Sequence, residues 1–373
     1  MKILITGSHF TPAQATIEEL QKHLDIEIVY VGRKFTLEGD KTQSVESQVL
    51  PEMGIRFIPI ITGRLQRFFT IHTIPSLFKI PFGIVQSFFI VWNEHPDVVL
   101  SFGGYVAVPV VISSWLFSIP IILHEQTLVS GLANSISAIF ADKIAVSFEE
   151  NKEFNKNKTV LTGNPLRKEI FADEKLMNID LQGIINVSKK ENLPLILITG
   201  GNQGSHAINK TILESFEALN KIVCVIHQTG DSNFNDFEKL SEEKNNLKNP
   251  EKYLALKWID GRNMGAILRK VDLVISRAGM NTLLELAYFG VPTLVIPLPY
   301  LYKNEQNVNA KFFEKMGLTT ILSQNNLNEN NLMEKIKIML KNIDKLKESA
   351  IGAKKVVIID AAKRLALETL LQK

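Results

Sequence analysis

The sequence predicts an α/β fold made of two Rossmann-like, doubly wound parallel sheets. Three observations carry that expectation. Short apolar runs alternate with helix-patterned stretches along the chain, the mark of parallel strands with helices on both faces. Glycine turns follow four of those runs, at Gly7, Gly103-Gly104, Gly200-Gly201 and Gly279. The chain is 373 residues long, too long for one compact core and suited to two domains.

Hydrophobic residues make up 45% and charged residues 22%, so the chain is globular rather than disordered. The 42 basic and 39 acidic residues leave a charge of +3, which gives no argument for a nucleic-acid partner. The single cysteine, Cys224, lies in the apolar run Ile222–Ile226 and is expected to be a buried strand residue. It excludes a disulfide framework or a cysteine metal site. The start, MKILITG, enters a strand and lacks the layout of a signal peptide, so a cytoplasmic protein is expected.

Lys2–Thr6 reads as the first strand, ending at Gly7, with Ser8, His9 and Phe10 as a turn. Thr11 is expected to cap the next helix and Pro12 to open it. His9 sits at the strand's carboxyl end, where it could act as a general base or simply cap the turn. A second strand is expected at Ile26–Val31. From Ile61 to Trp92 the chain is aromatic and basic, but Pro75, Pro81 and polar residues break any run of ~20 apolar residues. Phe82–Trp92 is expected to be a buried helix on the sheet. Arg64, Arg67, Phe68, Phe69, Phe78, Lys79 and Phe82 are expected to lie on anionic lipid.

Pro96–Ser101 reads as a strand, and Phe102-Gly103-Gly104-Tyr105 as a turn into a helix. Ile119–Leu123 reads as a strand ending in three polar residues, His124, Glu125 and Gln126. That places them at the sheet's ligand edge. Gly131 to Asn134 begins another helix. The polar stretch Glu149–Lys158 and the turn Thr162-Gly163-Asn164-Pro165 mark the domain boundary.

Leu193–Thr199 restarts the pattern, followed by Gly200-Gly201-Asn202-Gln203-Gly204-Ser205. This is neither a Walker loop nor a clean Rossmann fingerprint, yet it is a natural diphosphate cradle. Ile222–Ile226 runs into His227-Gln228-Thr229-Gly230. Leu254–Ile259 reads as a strand and Gly261–Lys270 as a helix. Val271–Ser276 ends in Arg277-Ala278-Gly279, which opens a helix carrying Asn281 and Glu285 on one face. A last strand, Thr293–Ile296, leads through Pro297 and Pro299 to Asn304, Glu305, Gln306, Asn307 and Asn309. Backbone for phosphate, a carboxylate and amides suit a nucleotide diphosphate with sugar hydroxyls. A plain βαβ unit with a solvated polar stripe fits the same residues. Asn328–Leu371 reads as lysine-rich surface helix.

Taken together, FGGYVAVP, IPIILHEQTLVSGLAN, FADKIAVSFEE, LTGNPLR, ITGGNQGSHAIN, HQTG, RAGMNTLLELAYFGVP and NEQNVNA give the chain a family resemblance. It resembles, from about residue 2 to residue 370, the MurG family of N-acetylglucosaminyltransferases, glycosyltransferase family 28 of GT-B fold. These convert lipid I to lipid II in peptidoglycan synthesis, and so serve cell-wall biogenesis, cell shape and cell division.

The resemblance implies two Rossmann-like domains facing a central cleft. Residues 1–163 would bind acceptor and membrane, and 164–352 the UDP-sugar. Residues 353–373 would form a helix returning to the first domain. For the donor UDP-N-acetylglucosamine it implies Glu285 on the ribose and Gln306 on the sugar. Gly201, Asn202, Gln203 and Gly204 would hold the diphosphate, with Gly279 and Met280 at a helix N-terminus. Arg167 would position the nucleotide, and the Ile259 backbone would read uracil. For the polyprenyl-diphosphate-linked muramoyl acceptor it implies Gly103, Gly104, Tyr105, His124, Glu125, Gln126 and Asn134.

Three departures stand out. The first loop is shortened, so that only Ser8 separates Gly7 from His9. Thr127 stands where the family has asparagine, and Asn202 where it has serine. The implied reaction inverts the donor's C1, with His9 as base, or Glu125 in its place. No cofactor is implied, and no Asp-x-Asp pair is placed for a metal. The implied location is peripheral, on the cytoplasmic face of the cell membrane. The alternatives are a related glycolipid glycosyltransferase, a UDP-N-acetylglucosamine 2-epimerase, and a non-catalytic paralogue that binds the nucleotide sugar.

Overall fold

The computed structural model describes residues 1–35, 43–63, 73–172, 178–201, 203–231 and 234–372, with the backbone alone for 73–78. The chain divides into two compact units, Met1–Leu166 with Ile358–Lys373, and Arg167–Val357.

The first unit runs β1 (Lys2–Thr6), α1 (Phe10–Leu20), β2 (Glu27–Gly32), α2 (Val45–Glu52), β3 (Arg56–Pro59) and α3 (Thr73–Glu94). It continues with β4 (Val98–Ser101), α4 (Ala107–Leu116), β5 (Ile121–Glu125), α5 (Leu132–Phe140), β6 (Lys143–Val146) and β7 (Thr159–Leu161). All pairings are parallel, in the order β3-β2-β1-β4-β5-β6-β7. Both faces of the central strands are covered, so those strands are mostly apolar. Ile3, Ile5 and Leu100 face α1 residues Ile17 and Leu20 on one side. Leu4, Val99 and Leu123 meet α4 residues Val110 and Val111 on the other.

The second unit runs α6 (Ile179–Glu191), β8 (Leu195–Thr199), α7 (His206–Glu214), α8 (Phe216–Asn220), β9 (Cys224–Gln228), α9 (Asp236–Lys244) and β10 (Tyr253–Leu256). Then come α10 (Gly261–Leu268), β11 (Leu273–Ser276), α11 (Met280–Phe289), β12 (Thr293–Val295), α12 (Glu305–Lys315), β13 (Thr319–Ile321), α13 (Glu329–Lys341) and α14 (Ile343–Ile351). Its sheet is also parallel, in the order β10-β9-β8-β11-β12-β13. Ile196, Ile198, Leu273 and Ile275 pack under Ile208 and Ile212 of α7 and Ile336 of α13. Helix α15 (Ala361–Leu370) belongs to the first unit, where Leu365 and Ala366 join the core beside Ile17.

Three local expectations are corrected. Helix α1 starts at Phe10, so His9 holds the N-cap position and Thr11 lies inside the helix. Pro12 is tolerated there because the first turn's N–H groups have no helical acceptors. Strand β5 does not stop at Leu123: His124 and Glu125 pair with Ala145 and Val146 within the sheet. The helix ending at Trp92 is not buried on the sheet. Helix α3 buries one narrow side, Gly83, Ser87, Val91 and Glu94, at helical spacing. Ser87 Oγ bonds Pro109 O and Ser113 Oγ of α4 at 2.9 and 2.8 Å. Phe82, Val85, Phe89 and Trp92 remain more than half exposed.

Candidate active site

In each sheet the strand order reverses direction once, between β1 and β4 in the first unit and between β8 and β11 in the second. At such a point the two neighbouring carboxyl-end loops diverge and leave a crevice for ligands.

In the first unit a backbone hydrogen bond links the loops after β1 and β4. The Ser8 N–H donates to Gly103 O at 3.0 Å. Gly103 and Gly104 have φ of +70° and +81°. A Cβ would fall 2.0 Å from Asn134 Oδ1 at Gly103, and 1.8 Å from Ser8 Oγ at Gly104, so a side chain at either would displace its neighbour and strain the backbone. His9, partly buried, lies with Nδ1 2.8 Å from Gln126 Nε2. Burial, and then the charge of Arg33, push its pKa down to about 4.

Glu125 is only 2% exposed and is held from three sides. Its Oε1 accepts from Thr127 N at 3.0 Å and Thr127 Oγ1 at 2.8 Å, and its Oε2 accepts from Asn134 Nδ2 at 2.8 Å. Burial raises its pKa, and those hydrogen bonds oppose the rise. Asn134 Oδ1 is buried with no partner among the described residues. His9, Glu125, Gln126, Asn134, Gly103 and Gly104 thus gather at one edge, with Tyr105 partly buried beside them. The His124 carbonyl accepts from Asn134 Nδ2 at 3.4 Å, but its ring is engaged elsewhere. Its Nε2 meets Gly163 O at 3.2 Å, and burial lowers its pKa to about 4.

In the second unit, Gly204 has φ +74° and a Cβ there would strike Thr229 O at 1.9 Å. The turn is further fixed by Gln228 Nε2, which donates to Gly201 O at 3.1 Å. Gln203 is exposed, and Asn202 lies outside the described residues. Gln228 Oε1 accepts the Ile259 N–H at 3.1 Å. Beyond the chain neighbours, no described residue comes within 4 Å of a Cβ added at Gly201 or Gly279. Gly279 caps α11, Met280 is 3% exposed, and Gln306 Oε1 accepts the Leu298 N–H at 2.9 Å. Arg167 Nη2 and Nε lie 3.0 and 3.3 Å from Glu285 Oε1. Glu285 is raised by burial, which Arg167 opposes, and Arg167 is raised chiefly by Glu285.

Arg277 was not singled out by the sequence beyond its place in a turn. It is 7% exposed; Nε donates to Ser205 Oγ at 3.0 Å and Nη1 to Ile296 O at 2.8 Å. A lone arginine ending an apolar strand at the sheet's reversal was the available signal. Of the membrane candidates, Arg64, Arg67, Phe68 and Phe69 lie outside the described residues, as does the side chain of Phe78. Lys79 is partly buried and Phe82 is exposed.

Two all-parallel Rossmann-like units make the architecture of the GT-B fold. The chain belongs to glycosyltransferase family 28. Residues 6–146 match its N-terminal domain and 195–365 its C-terminal domain.

A relative from Clostridium botulinum is 35% identical, with 91% of each chain covered. It is named UDP-N-acetylglucosamine–N-acetylmuramyl-(pentapeptide) pyrophosphoryl-undecaprenol N-acetylglucosamine transferase. One of the same name from Bacillus cytotoxicus is 33% identical over 98% of this chain and 97% of its own. The crystal structure of Acinetobacter baumannii MurG is similar with a TM-score of 0.70 at 22% identity, covering 99% of both chains. A putative UDP-N-acetylglucosamine 2-epimerase from Listeria monocytogenes has a TM-score of 0.69 at 15% identity, covering 97% and 94%. Identities this low speak of the fold alone.

Proposed function

We propose that the protein transfers N-acetylglucosamine from UDP-N-acetylglucosamine to the C4 hydroxyl of lipid I, forming lipid II. One observation carries this: the 35% identity over 91% of the chain to a relative named for that transfer. The acceptor oxygen bonds to C1 of the donor from the face opposite the leaving group. The bond from C1 to the diphosphate oxygen breaks, and its electron pair leaves with UDP. The hydroxyl proton passes to His9, which burial keeps neutral and ready to accept. Glu125 is a positioning residue, since its oxygens already accept three hydrogen bonds that tie Thr127 and Asn134 to the edge.

Glu285 receives the ribose hydroxyls, with Arg167 beside it, and Gln306 meets the sugar. The glycine turn Gly201–Gly204 and the α11 N-terminus at Gly279 offer N–H groups to phosphate. The Ile259 N–H is committed to Gln228, so uracil is read by the Ile259 carbonyl. No metal or cofactor enters the scheme.

Among the described residues no helix is long and apolar enough to cross a membrane. The exposed face of α3, with Trp115 and Leu116 of α4, provides a peripheral contact with the cytoplasmic membrane face.

The test supplies labelled UDP-N-acetylglucosamine with lipid I and follows lipid II and UDP. Release of a C2-epimerised sugar would instead mark an epimerase. Donor binding without turnover would mark a binding paralogue, and transfer only to another glycolipid a related transferase.

A further inference from the structure

Arg277 stands immediately after β11, beside the reversal point between β8 and β11. Its guanidinium joins three carboxyl-end loops: its own, the glycine turn after β8 through Ser205, and the loop after β12 through Ile296 O. Every acceptor it reaches is neutral, and it forms no ion pair with a described residue. Nη2 donates to no described group. A cation 7% exposed without a counter-ion is expensive unless an anion completes it. The strain registers as a pKa lowered to about 10 by burial alone. Arg167 differs, because Glu285 already neutralises it.

We propose that Arg277 is the cation that receives the diphosphate of the nucleotide sugar and stabilises UDP as it leaves. The proposal rests on the reading of residues 167–357 as the donor-binding unit. As the bond from C1 breaks, its electron pair settles on the diphosphate oxygen, and the guanidinium meets that growing charge. A fork already fixed by Ser205 and Ile296 spends little reorganisation in doing so. The glycine turn supplies neutral N–H donors to the same anion, and Arg277 supplies the charge they lack.

Uridine and UDP separate this role from that of a mere brace. Affinities for both are measured by calorimetry for the parent, Arg277→Gln and Arg277→Lys. We expect the Gln variant to keep its uridine affinity and lose about 10- to 100-fold in UDP affinity, with Lys between. Equal loss of uridine and UDP, or an unchanged preference for UDP, would leave Arg277 a brace and overturn the assignment. If the parent itself binds neither ligand, the donor-unit reading fails instead. Should the Gln variant not fold, nitrogen-edited NMR of the parent decides. The Arg277 Nε–H resonance, identified by its absence in the Lys variant, must shift with UDP and stay still with uridine; movement with both overturns the proposal.

Discussion

Gln126 Nε2 lies 2.8 Å from His9 Nδ1, joining the loop after β5 to the start of α1. With that amide nitrogen donating, the neutral ring carries its proton on Nε2. Turning the amide over brings Gln126 Oε1, which is buried without a partner among the described residues, onto Nδ1–H and exposes the Nε2 lone pair. Gln126 therefore sets the tautomer of the proposed base. Gln126→Leu should lower kcat about 10- to 100-fold with little change in donor affinity. Gln126→Glu should move the acid limb of kcat/KM upward from its expected place near pH 4, because a carboxylate favours the imidazolium. A limb that stays put in the Glu variant would separate His9 from Gln126.

Glu285 and Arg167 form a 3.0 Å ion pair, with Glu285 buried. Glu285→Ala removes the proposed ribose acceptor and strands the guanidinium. We expect at least ~100-fold weaker UDP-N-acetylglucosamine binding and a stability loss of about 3 kcal/mol. Unchanged affinity in titration would remove Glu285 from the ribose site.

Gly204 tests the turn without touching charge. With φ +74° and Thr229 O 1.9 Å from a would-be Cβ, Gly204→Ala has to open the turn. UDP affinity should fall while the far-ultraviolet circular dichroism of the sheet is retained. Parent-like affinity would show that the turn does not hold the diphosphate.

Stability should fall as the solution is acidified. Burial lowers His124 to about 4 and His227 to about 3, against an ordinary 6.5. Below pH 6.5 the unfolded chain takes up protons that the folded chain refuses. Each histidine then removes about 1.4 kcal/mol per pH unit until its folded pKa is reached. Glu125 and Glu285, both raised, titrate with the opposite sign and offset part of the loss. Urea midpoints at pH 7 and pH 5 measure the balance. His227→Gln, which interrupts the chain from Tyr253 through His227 to Asn209, should show a shallower slope.

The membrane contact is tested on α3. Changing Phe82, Phe89 and Trp92 to Ser exchanges exposed apolar surface for polar, so folding should be spared. Sedimentation with anionic liposomes should drop several-fold, while turnover of a soluble acceptor analogue holds. Equal sedimentation would place the contact elsewhere.

The alternation of strand and helix was legible because both faces of each sheet are buried, which makes runs such as Leu195–Thr199 plainly apolar. The glycine turns were legible for a related reason, since positive φ at Gly104 and Gly204, and the Thr229 backbone against Gly204, disfavour any other residue. The depth of His124 and Glu125 was not. Polar residues inside a buried strand are tolerable only through partners elsewhere in the chain, Gly163 for one and Asn134 for the other. Nor could the sequence say whether the apolar face of α3 meets protein or solvent. Spacing gives a stripe its direction around the helix, not its neighbour. Arg277 escaped because burial of a single cation depends on three loops that meet only in the folded unit.

Helix α15 carries a consequence for the protein's birth on the ribosome. Leu365 fills the same core as Ile17 and Leu20, and Glu368 bonds Lys143 at 2.8 Å. The first 166 residues therefore emerge with an uncovered greasy groove along α1. They must wait for the whole of 167–357 to be translated before that groove is closed. The unit begun first is finished last, and during that interval its apolar surface stays exposed.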